Sequence, residues 1–219
     1  MPAKNIVKDY HEDSYYHIYN RGINKNKIFL DDPDYKTFLS YLKIYLSPIP
    51  QGETLKTSPS RQLKNFYGEI ILHSYCLMPN HFHLLIFQHN ASAINFFMRS
   101  LGTKYSMFFN RKYHRVGTIF QGAYKAVRIE SEEQLLYLSK YIHRNPFTPS
   151  RRNLEGYKYS SYQNYLGLFH QSWVETGEIN SYFSKVNLKN SYKQFVEETE
   201  DRDLLSIERL ALDIEEPTR

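Results

Sequence analysis

The sequence has a single cysteine and no long apolar run. Among its 219 residues only Cys76 is a cysteine, which excludes a disulfide framework and any four-cysteine zinc site. No stretch of about 18 apolar residues is present, so no transmembrane helix is expected. The first residues lack the apolar core of a secretory signal. With 41% hydrophobic and 16% aromatic residues, the chain has enough apolar material for a globular fold, and we expect a cytoplasmic protein of one sizeable domain.

Charge is distributed unevenly along the chain. Residues 151–219 hold nine basic and twelve acidic side chains, a net charge of −3, whereas residues 1–150 carry a net charge of +8. The basic part also contains most of the tyrosine and phenylalanine. Basic side chains neutralise phosphates and aromatic rings stack on unpaired bases, so this combination fits a nucleic-acid partner. Composition alone fits better with a solvated basic surface over an aromatic core.

Periodicity and turn signals predict seven elements in the first 144 residues. Strands alternate or are continuously apolar, helices repeat every three to four residues, and Pro and Gly mark the connections. The predicted strands are 15–20, 69–78, 81–88 and 117–129, and the predicted helices are 33–46, 92–112 and 131–144. The order β-α-β-β-α-β-α predicts an α+β fold, a ferredoxin-like split β-α-β antiparallel sheet with helices on one face. A mostly helical C-terminal extension follows, with one or two helices over 179–210 and an acidic end.

Two histidines alternate within the third predicted strand. His81 and His83 lie two residues apart, so their side chains point to the same face of that strand. Two neighbouring imidazoles suit two ligands of one metal ion. A pair of polar residues on a solvated strand face is the alternative. The apolar run 84–87 continues the strand directly and indicates burial, which leaves both interpretations open.

The last predicted helix carries a second group of polar side chains. Tyr137, Tyr141 and Asn145 follow one another at four-residue intervals and therefore share a helix face. A tyrosine is one of the nucleophiles that form covalent intermediates with phosphates. The alternative is a tyrosine core stripe, with Asn145 ending the helix before Pro146. Residue spacing alone favours that alternative.

Four segments, in this order, resemble the REP-associated tyrosine transposases, which are single-tyrosine members of the HUH endonucleases. The resemblance extends over about residues 15–170 and leaves 171–219 unmatched. The matching segments are Tyr16-His17-Ile18-Tyr19-Asn20-Arg21-Gly22, Leu77-Met78-Pro79-Asn80-His81-Phe82-His83-Leu84-Leu85, Gly117-Thr118-Ile119-Phe120-Gln121-Gly122 and Tyr141-Ile142-His143-Arg144-Asn145-Pro146. The chain departs from the family at Ala123, where Arg is usual, at Phe120, where Trp is common, and at Tyr159, the first residue of a usual Trp-Ser-Ser-Tyr.

The resemblance implies both an activity and a set of site residues. It implies a domain over 1–150 that cleaves and joins single-stranded DNA at hairpins through a 5′-phosphotyrosine intermediate, with 151–219 as an extension of unassigned role. By position, His81, His83 and Asn145 match the ligands of a divalent metal, Mg²⁺ or Mn²⁺, and Tyr141 matches the nucleophile. A monomer and a homodimer are both compatible with the sequence.

Further residues are candidates for contact with the DNA backbone or bases. They are basic side chains on the second helix and fourth strand, together with two residues of the first strand: Tyr19, Arg21, Arg99, Lys104, Arg111, Lys112, Arg115, Lys125 and Arg128. A non-catalytic module that binds hairpin DNA or RNA, and a hydrolase of small phosphoesters, are alternative functions. The presence of Tyr141 beside the histidine pair argues against the first. The basic aromatic composition, and the lack of further carboxylate ligands near the histidines, argue against the second.

Overall fold

Four antiparallel strands form one sheet at the centre of the molecule. The structure, a computed structural model, describes residues 9–49, 65–147 and 153–198. The strands are β1 (Ser14–Arg21), β2 (Ile70–Met78), β3 (His81–Gln88) and β4 (Lys125–Ile129), in the spatial order β2-β3-β1-β4. This order, with a helix after β1 and another after β3, is the predicted ferredoxin-like arrangement, and the α+β fold class is confirmed.

Two long helices cover the first face of the sheet. These are α1 (Asp32–Leu46) and α2 (Ala93–Lys112). Asp31 caps α1, since its side chain accepts a hydrogen bond from the backbone N–H of Asp34 at 3.2 Å. Both helices turn their apolar stripes toward the sheet, and Phe38 and Phe97 are fully buried there beside Leu84 of β3.

The third helix, α3 (Glu132–Arg144), lies on the opposite face. Its buried residues Leu138 and Ile142 pack with Cys76 of β2 and Leu85 of β3. The prediction that the helices share one face was therefore wrong for α3. An apolar stripe shows that a helix packs against something, but β3 is apolar on both faces and can support a helix on either side.

Most of the described part of the C-terminal extension, residues 153–198, packs on this second face, whereas Trp173 and Val174 belong to the core on the first face. The extension contains the short helices α4 (Tyr162–Tyr165), α5 (Gly177–Asn180) and α6 (Tyr192–Glu197). The Tyr-Ser-Ser-Tyr segment runs along the outer edge of β2, where the N–H of Leu77 donates to the carbonyl of Tyr159 at 2.9 Å. The predicted boundary near 150 and most of the acidic end lie outside the described residues.

The fourth strand is shorter than the sequence predicts. A strand was expected over 117–129, but β4 begins at Lys125, and Phe120 makes only one isolated bridge, to Gly22. Gly122 between them has a φ of +74°, a left-handed conformation that interrupts an extended strand. Within the described ranges, no helix is long and apolar enough to cross a membrane.

Candidate functional site

The two histidines of β3 lie on the sheet face that α3 covers. Phe82, between them, is buried in the core under α1 and α2, as strand alternation requires. The ring centroids of His81 and His83 are 5.0 Å apart. His83 is fully buried, whereas His81 is partly accessible, so the pair opens to solvent on the His81 side.

Asn145 brings the end of α3 to both imidazoles. Its Oδ1 lies 3.0 Å from Nε2 of His81, and its Nδ2 lies 3.4 Å from Nε2 of His83. Residues more than 60 positions apart in sequence thus converge on one point. The structure brings together the three side chains that the sequence analysis selected as metal ligands.

Each imidazole is held from behind by a polar neighbour. Nδ1 of His81 lies 2.7 Å from Oδ1 of Asn80, and Nδ2 of Asn80 donates to the carbonyl of Lys25 at 3.3 Å. Both ring nitrogens of His81 therefore face amide oxygens, which only accept, and a neutral imidazole carries a single N–H, so it can donate to only one of the two. Behind His83, its Nδ1 lies 2.9 Å from Nε2 of His17.

Burial keeps both candidate ligands neutral. It lowers the pKa of His81 to about 4, and the nearby Arg21 guanidinium acts in the same direction, while the contact with Asn145 opposes it. Burial also lowers the pKa of His83 well below its ordinary value, and His81 and His17 add to that effect. Neutral imidazoles are the form that binds metal ions, so protons do not compete at neutral pH.

Tyr141 lies on α3 one turn before Asn145 and faces the same histidines. Its ring meets the ring of His83 edge to face at a centroid distance of 5.4 Å, and that of His17 at 6.2 Å. Tyr137, one turn further back, packs instead beside Phe195 of α6 at 5.8 Å. The two tyrosines share a helix face in sequence, but the ring of Tyr141 contacts the histidines and that of Tyr137 contacts Phe195.

His17 is a residue of this site that the sequence analysis did not select. It is fully buried on β1, stacked on His83 with centroids 5.1 Å apart and on Tyr19 at 4.7 Å. In the β1–β3 ladder, His17 pairs with Leu85 and Tyr19 pairs with His83. His17 and His83 are therefore diagonal neighbours on the same face of the sheet. The sequence does contain a signal for this residue: on β1, His17 alternates with Tyr15 and Tyr19, so the three side chains share one face of the strand.

The candidate DNA-contacting residues fall into separate groups. Tyr19 and Lys125 adjoin the site: Tyr19 is buried against His17, and Nζ of Lys125 lies 5.8 Å from its ring. Arg21 donates to Oε1 of Gln121 at 3.3 Å. The candidates on α2 lie on the opposite face of the sheet from the histidines. One of them, Arg99, lines a groove with Asn20 next to the end of β1. The remaining α2 candidates in this group are Lys104 and Arg111.

Three other basic candidates have contacts within the protein. Nζ of Lys112 lies 2.6 Å from Oδ1 of Asp31 and 2.7 Å from Oδ1 of the buried Asp34. Arg115 lies over the ring of Phe109, and Arg128 pairs with Glu130 at 3.2 Å. The contacts of Lys112 in particular are those of a structural side chain.

Comparisons with known proteins agree with the geometry. The family model described as "Transposase IS200 like" matches residues 51–145, a range that contains both histidines, Tyr141 and Asn145. A solved REP-associated tyrosine transposase, bound to a REP hairpin, superposes with a TM-score of 0.53 at 11% identity. It covers 77% of this chain and 95% of its own.

A second solved structure is more distant. It is a protein assigned as a transposase from Deinococcus radiodurans R1, with a TM-score of 0.38, 14% identity, and coverage of 63% of this chain and 95% of its own. No curated protein matches the sequence. Residues 51–145, somewhat less than half of the chain, are thus similar to the IS200-like transposases, and the described chain has the fold of the solved REP-associated tyrosine transposase.

Proposed function

We propose that this chain is a metal-dependent single-stranded DNA endonuclease and strand transferase that acts through Tyr141. The observation that carries the proposal is the convergence of α3 on the histidines of β3. Asn145 contacts the Nε2 atoms of His81 and His83 at 3.0 and 3.4 Å, and Tyr141 stands one helical turn away with its ring on His83. The proposed nucleophile thus lies next to the proposed ligands.

The donor set fits a divalent cation. A neutral His81 has one N–H for the two amide oxygens that it faces, so when Nδ1 donates to Asn80, the Nε2 lone pair and Oδ1 of Asn145 are two acceptors 3.0 Å apart. A cation between them removes that repulsion, and the outer contacts of Asn80 and His17 hold both rings in place for it. His81, His83 and Asn145 would hold the ion, Mg²⁺ or Mn²⁺, and imidazole ligands favour Mn²⁺. When bound, such an ion supplies Lewis-acid polarisation of a phosphate.

Tyr141 would perform the covalent step. Its hydroxyl oxygen forms a bond to the phosphorus of the scissile phosphate, and the bond from phosphorus to the 3′ oxygen breaks. The phenol loses one proton and the departing 3′ oxygen gains one, so no proton is consumed overall. The 5′ end remains attached to Tyr141 until the 3′ hydroxyl of another strand attacks the same phosphorus. Because α3 packs against the sheet, the ring of Tyr141 is held in position before the reaction begins.

The proposed substrate is a single strand folded into a hairpin. The net charge of +8 over residues 1–150 favours a nucleic acid. The structural relative was solved with a REP hairpin, which supports the same class of ligand here. Arg21 of β1 and Lys125 of β4 are the proposed contacts beside the site, and Arg99 of α2 is a further proposed contact, in the groove next to Asn20.

The test is covalent capture of DNA on a denaturing gel. Labelled single-stranded hairpins from the DNA flanking the gene are incubated with Mn²⁺ and the wild-type chain, Tyr141→Phe or Tyr137→Phe. We expect a cleaved product and a protein–DNA adduct with wild type and Tyr137→Phe. Tyr141→Phe retains the ring and its packing but lacks the attacking oxygen, so it should bind the hairpin and form neither product.

Two results would contradict the proposal. An adduct that persists in Tyr141→Phe and disappears in Tyr137→Phe would move the nucleophile one turn back along α3. Tight binding of a hairpin by the wild-type chain without any cleavage would favour a non-catalytic binding module of the same fold.

A further inference from the structure

A second cluster of metal-binding side chains lies elsewhere on the sheet. His73 of β2, Glu175 and Glu178 each offer one ligand atom, and these atoms all lie within 4.8 Å of one another. His73 precedes Met78 by five residues, and Met78 pairs with His81, so the cluster is roughly 16 Å along the strand from the candidate active site. It is therefore a separate feature of the molecule.

His73 is buried without the hydrogen bonds that a buried imidazole needs. It is 1% exposed, and neither ring nitrogen has a hydrogen-bond partner among the described residues. Carboxylate oxygens lie beside both nitrogens: Nδ1 lies 3.4 Å from Oε2 of Glu175, and Nε2 lies 3.6 Å from Oε2 of Glu178. A neutral imidazole has one N–H and one lone pair, so one of the two nitrogens faces a carboxylate without a proton between them, and a bound cation would satisfy that pair.

A β-bulge in β2 positions His73 for this cluster. The register of β2 against β3 shifts between Leu72 and Ser74, and the β-bulge leaves His73 outside the regular pairing. Beside it, the N–H of Glu175 donates to the carbonyl of Leu72 at 2.9 Å, which holds the C-terminal segment against the bulge. The bulge thus directs His73 toward residues that follow it by about one hundred positions.

Each carboxylate is oriented by a second contact. Oε1 of Glu175 accepts from the N–H of Gly177 at 2.8 Å, and Oε1 of Glu178 accepts from the hydroxyl of Tyr15. The other oxygen of each, Oε2, is the one that faces His73. Such outer contacts are a regular property of metal sites, because they fix the first ligands in position.

We propose that His73, Glu175 and Glu178 form a binding site for Zn²⁺ that fastens the C-terminal segment to the bulge of β2. One nitrogen and two carboxylates suit Zn²⁺ better than Mg²⁺, which prefers oxygen ligands alone. Zinc distances of about 2.0–2.2 Å place tetrahedral ligands about 3.4 Å apart. The three ligand atoms here lie within 4.8 Å of one another, so a zinc ion would draw the carboxylates toward one nitrogen of His73. Three protein ligands leave one position for water.

The test measures zinc binding in a chain whose candidate active site is disabled. His81→Ala/His83→Ala is stripped with a chelator and titrated with Zn²⁺ by calorimetry. We expect one equivalent to bind, and we expect at least about tenfold weaker binding when Glu178→Gln is added. Glu133→Gln, an exposed carboxylate at the start of α3, is the matched control and should bind as its parent does.

His73→Gln in the same background should also lose the ion. If that buried substitution prevents folding, as judged by circular dichroism, the result for the half-exposed Glu178 decides. In the wild-type chain, Glu178→Gln should reduce the Zn²⁺ stoichiometry by one equivalent. Absence of binding at about 100 μM free Zn²⁺, or equal affinity in Glu178→Gln and its parent, would overturn the proposal and leave His73 as an ion-pair partner only.

Discussion

Protonation of a buried histidine, His143, should destabilise the fold between pH 7 and pH 5. His143 lies in the last turn of α3 and is 1% exposed. Its Nδ1 lies 2.6 Å from the hydroxyl of Tyr192, and its Nε2 lies 2.8 Å from Oγ of Ser161. It therefore connects the helix that carries Tyr141 and Asn145 to the C-terminal segment. Burial lowers its pKa to about 3.

The size and sign of the effect follow from that pKa. An unfolded chain protonates His143 near its ordinary pKa of 6.5, whereas the folded chain resists protonation until about pH 3. Stability from this residue is complete above pH 6.5 and falls as the pH decreases, by about 1.4 kcal/mol per pH unit. By pH 5 the loss is about 2 kcal/mol, a large part of a stability of roughly 5–15 kcal/mol. The aspartates with lowered pKa values, Asp31 and Asp32, lose their contribution only at lower pH.

Urea unfolding monitored by the fluorescence of the single tryptophan, Trp173, measures this dependence. Unfolding free energies are determined in metal-free buffer at several pH values for wild type, His143→Gln and the exposed-site control His170→Gln. His81 and His83 contribute with the same sign in all three proteins, so the comparison isolates His143. We expect the His143→Gln curve to be flatter by about 1.4 kcal/mol per pH unit, and the control to follow wild type. Parallel curves for all three would refute the reasoning.

Three further predictions concern stability and DNA affinity. Gly22→Ala should lower the unfolding free energy by about 1–3 kcal/mol in a urea titration, because its Cβ would lie 2.0 Å from the carbonyl oxygen of Asn26; an unchanged midpoint would contradict this. Lys112→Gln should cost about 1–3 kcal/mol of stability by removing the cation beside buried Asp34, yet leave hairpin affinity unchanged in a filter-binding assay. Arg99→Gln should instead weaken hairpin binding and reduce the slope of log affinity against log salt by about one, whereas an unaltered slope would place Arg99 outside the phosphate contacts.

The sequence predicts the parts of the site that depend on local geometry. His81 and His83 share a face because strand side chains alternate, and Tyr141 and Asn145 share a face because helix positions four apart are adjacent. Both relations are fixed by the backbone within a few residues. The structure places all four side chains as these rules require.

Contacts that depend on how distant strands and helices pack against one another could not be predicted from the sequence. His17 reaches His83 through the register of β1 against β3, and His73 leaves the alternation through a bulge. Lys112 is basic and lies in a basic segment, yet it closes an ion pair with Asp34, 78 positions away. The positions of charged residues in the sequence cannot distinguish a lysine that pairs with an internal carboxylate from one that contacts a DNA phosphate, because the ammonium group binds either anion.

The placement of α3 has the largest functional consequence. With α3 on the same face as α1 and α2, as the sequence predicts for the helices, the sheet face that carries His81 and His83 would have lacked this cover. On the second face, α3 instead covers the histidines, and burial lowers their pKa values and keeps their lone pairs available. The same packing fixes the distance from Asn145 to both rings. Because His143 holds α3 to the C-terminal segment through Tyr192 and Ser161, residues outside the matched family range help to maintain the geometry of the candidate site.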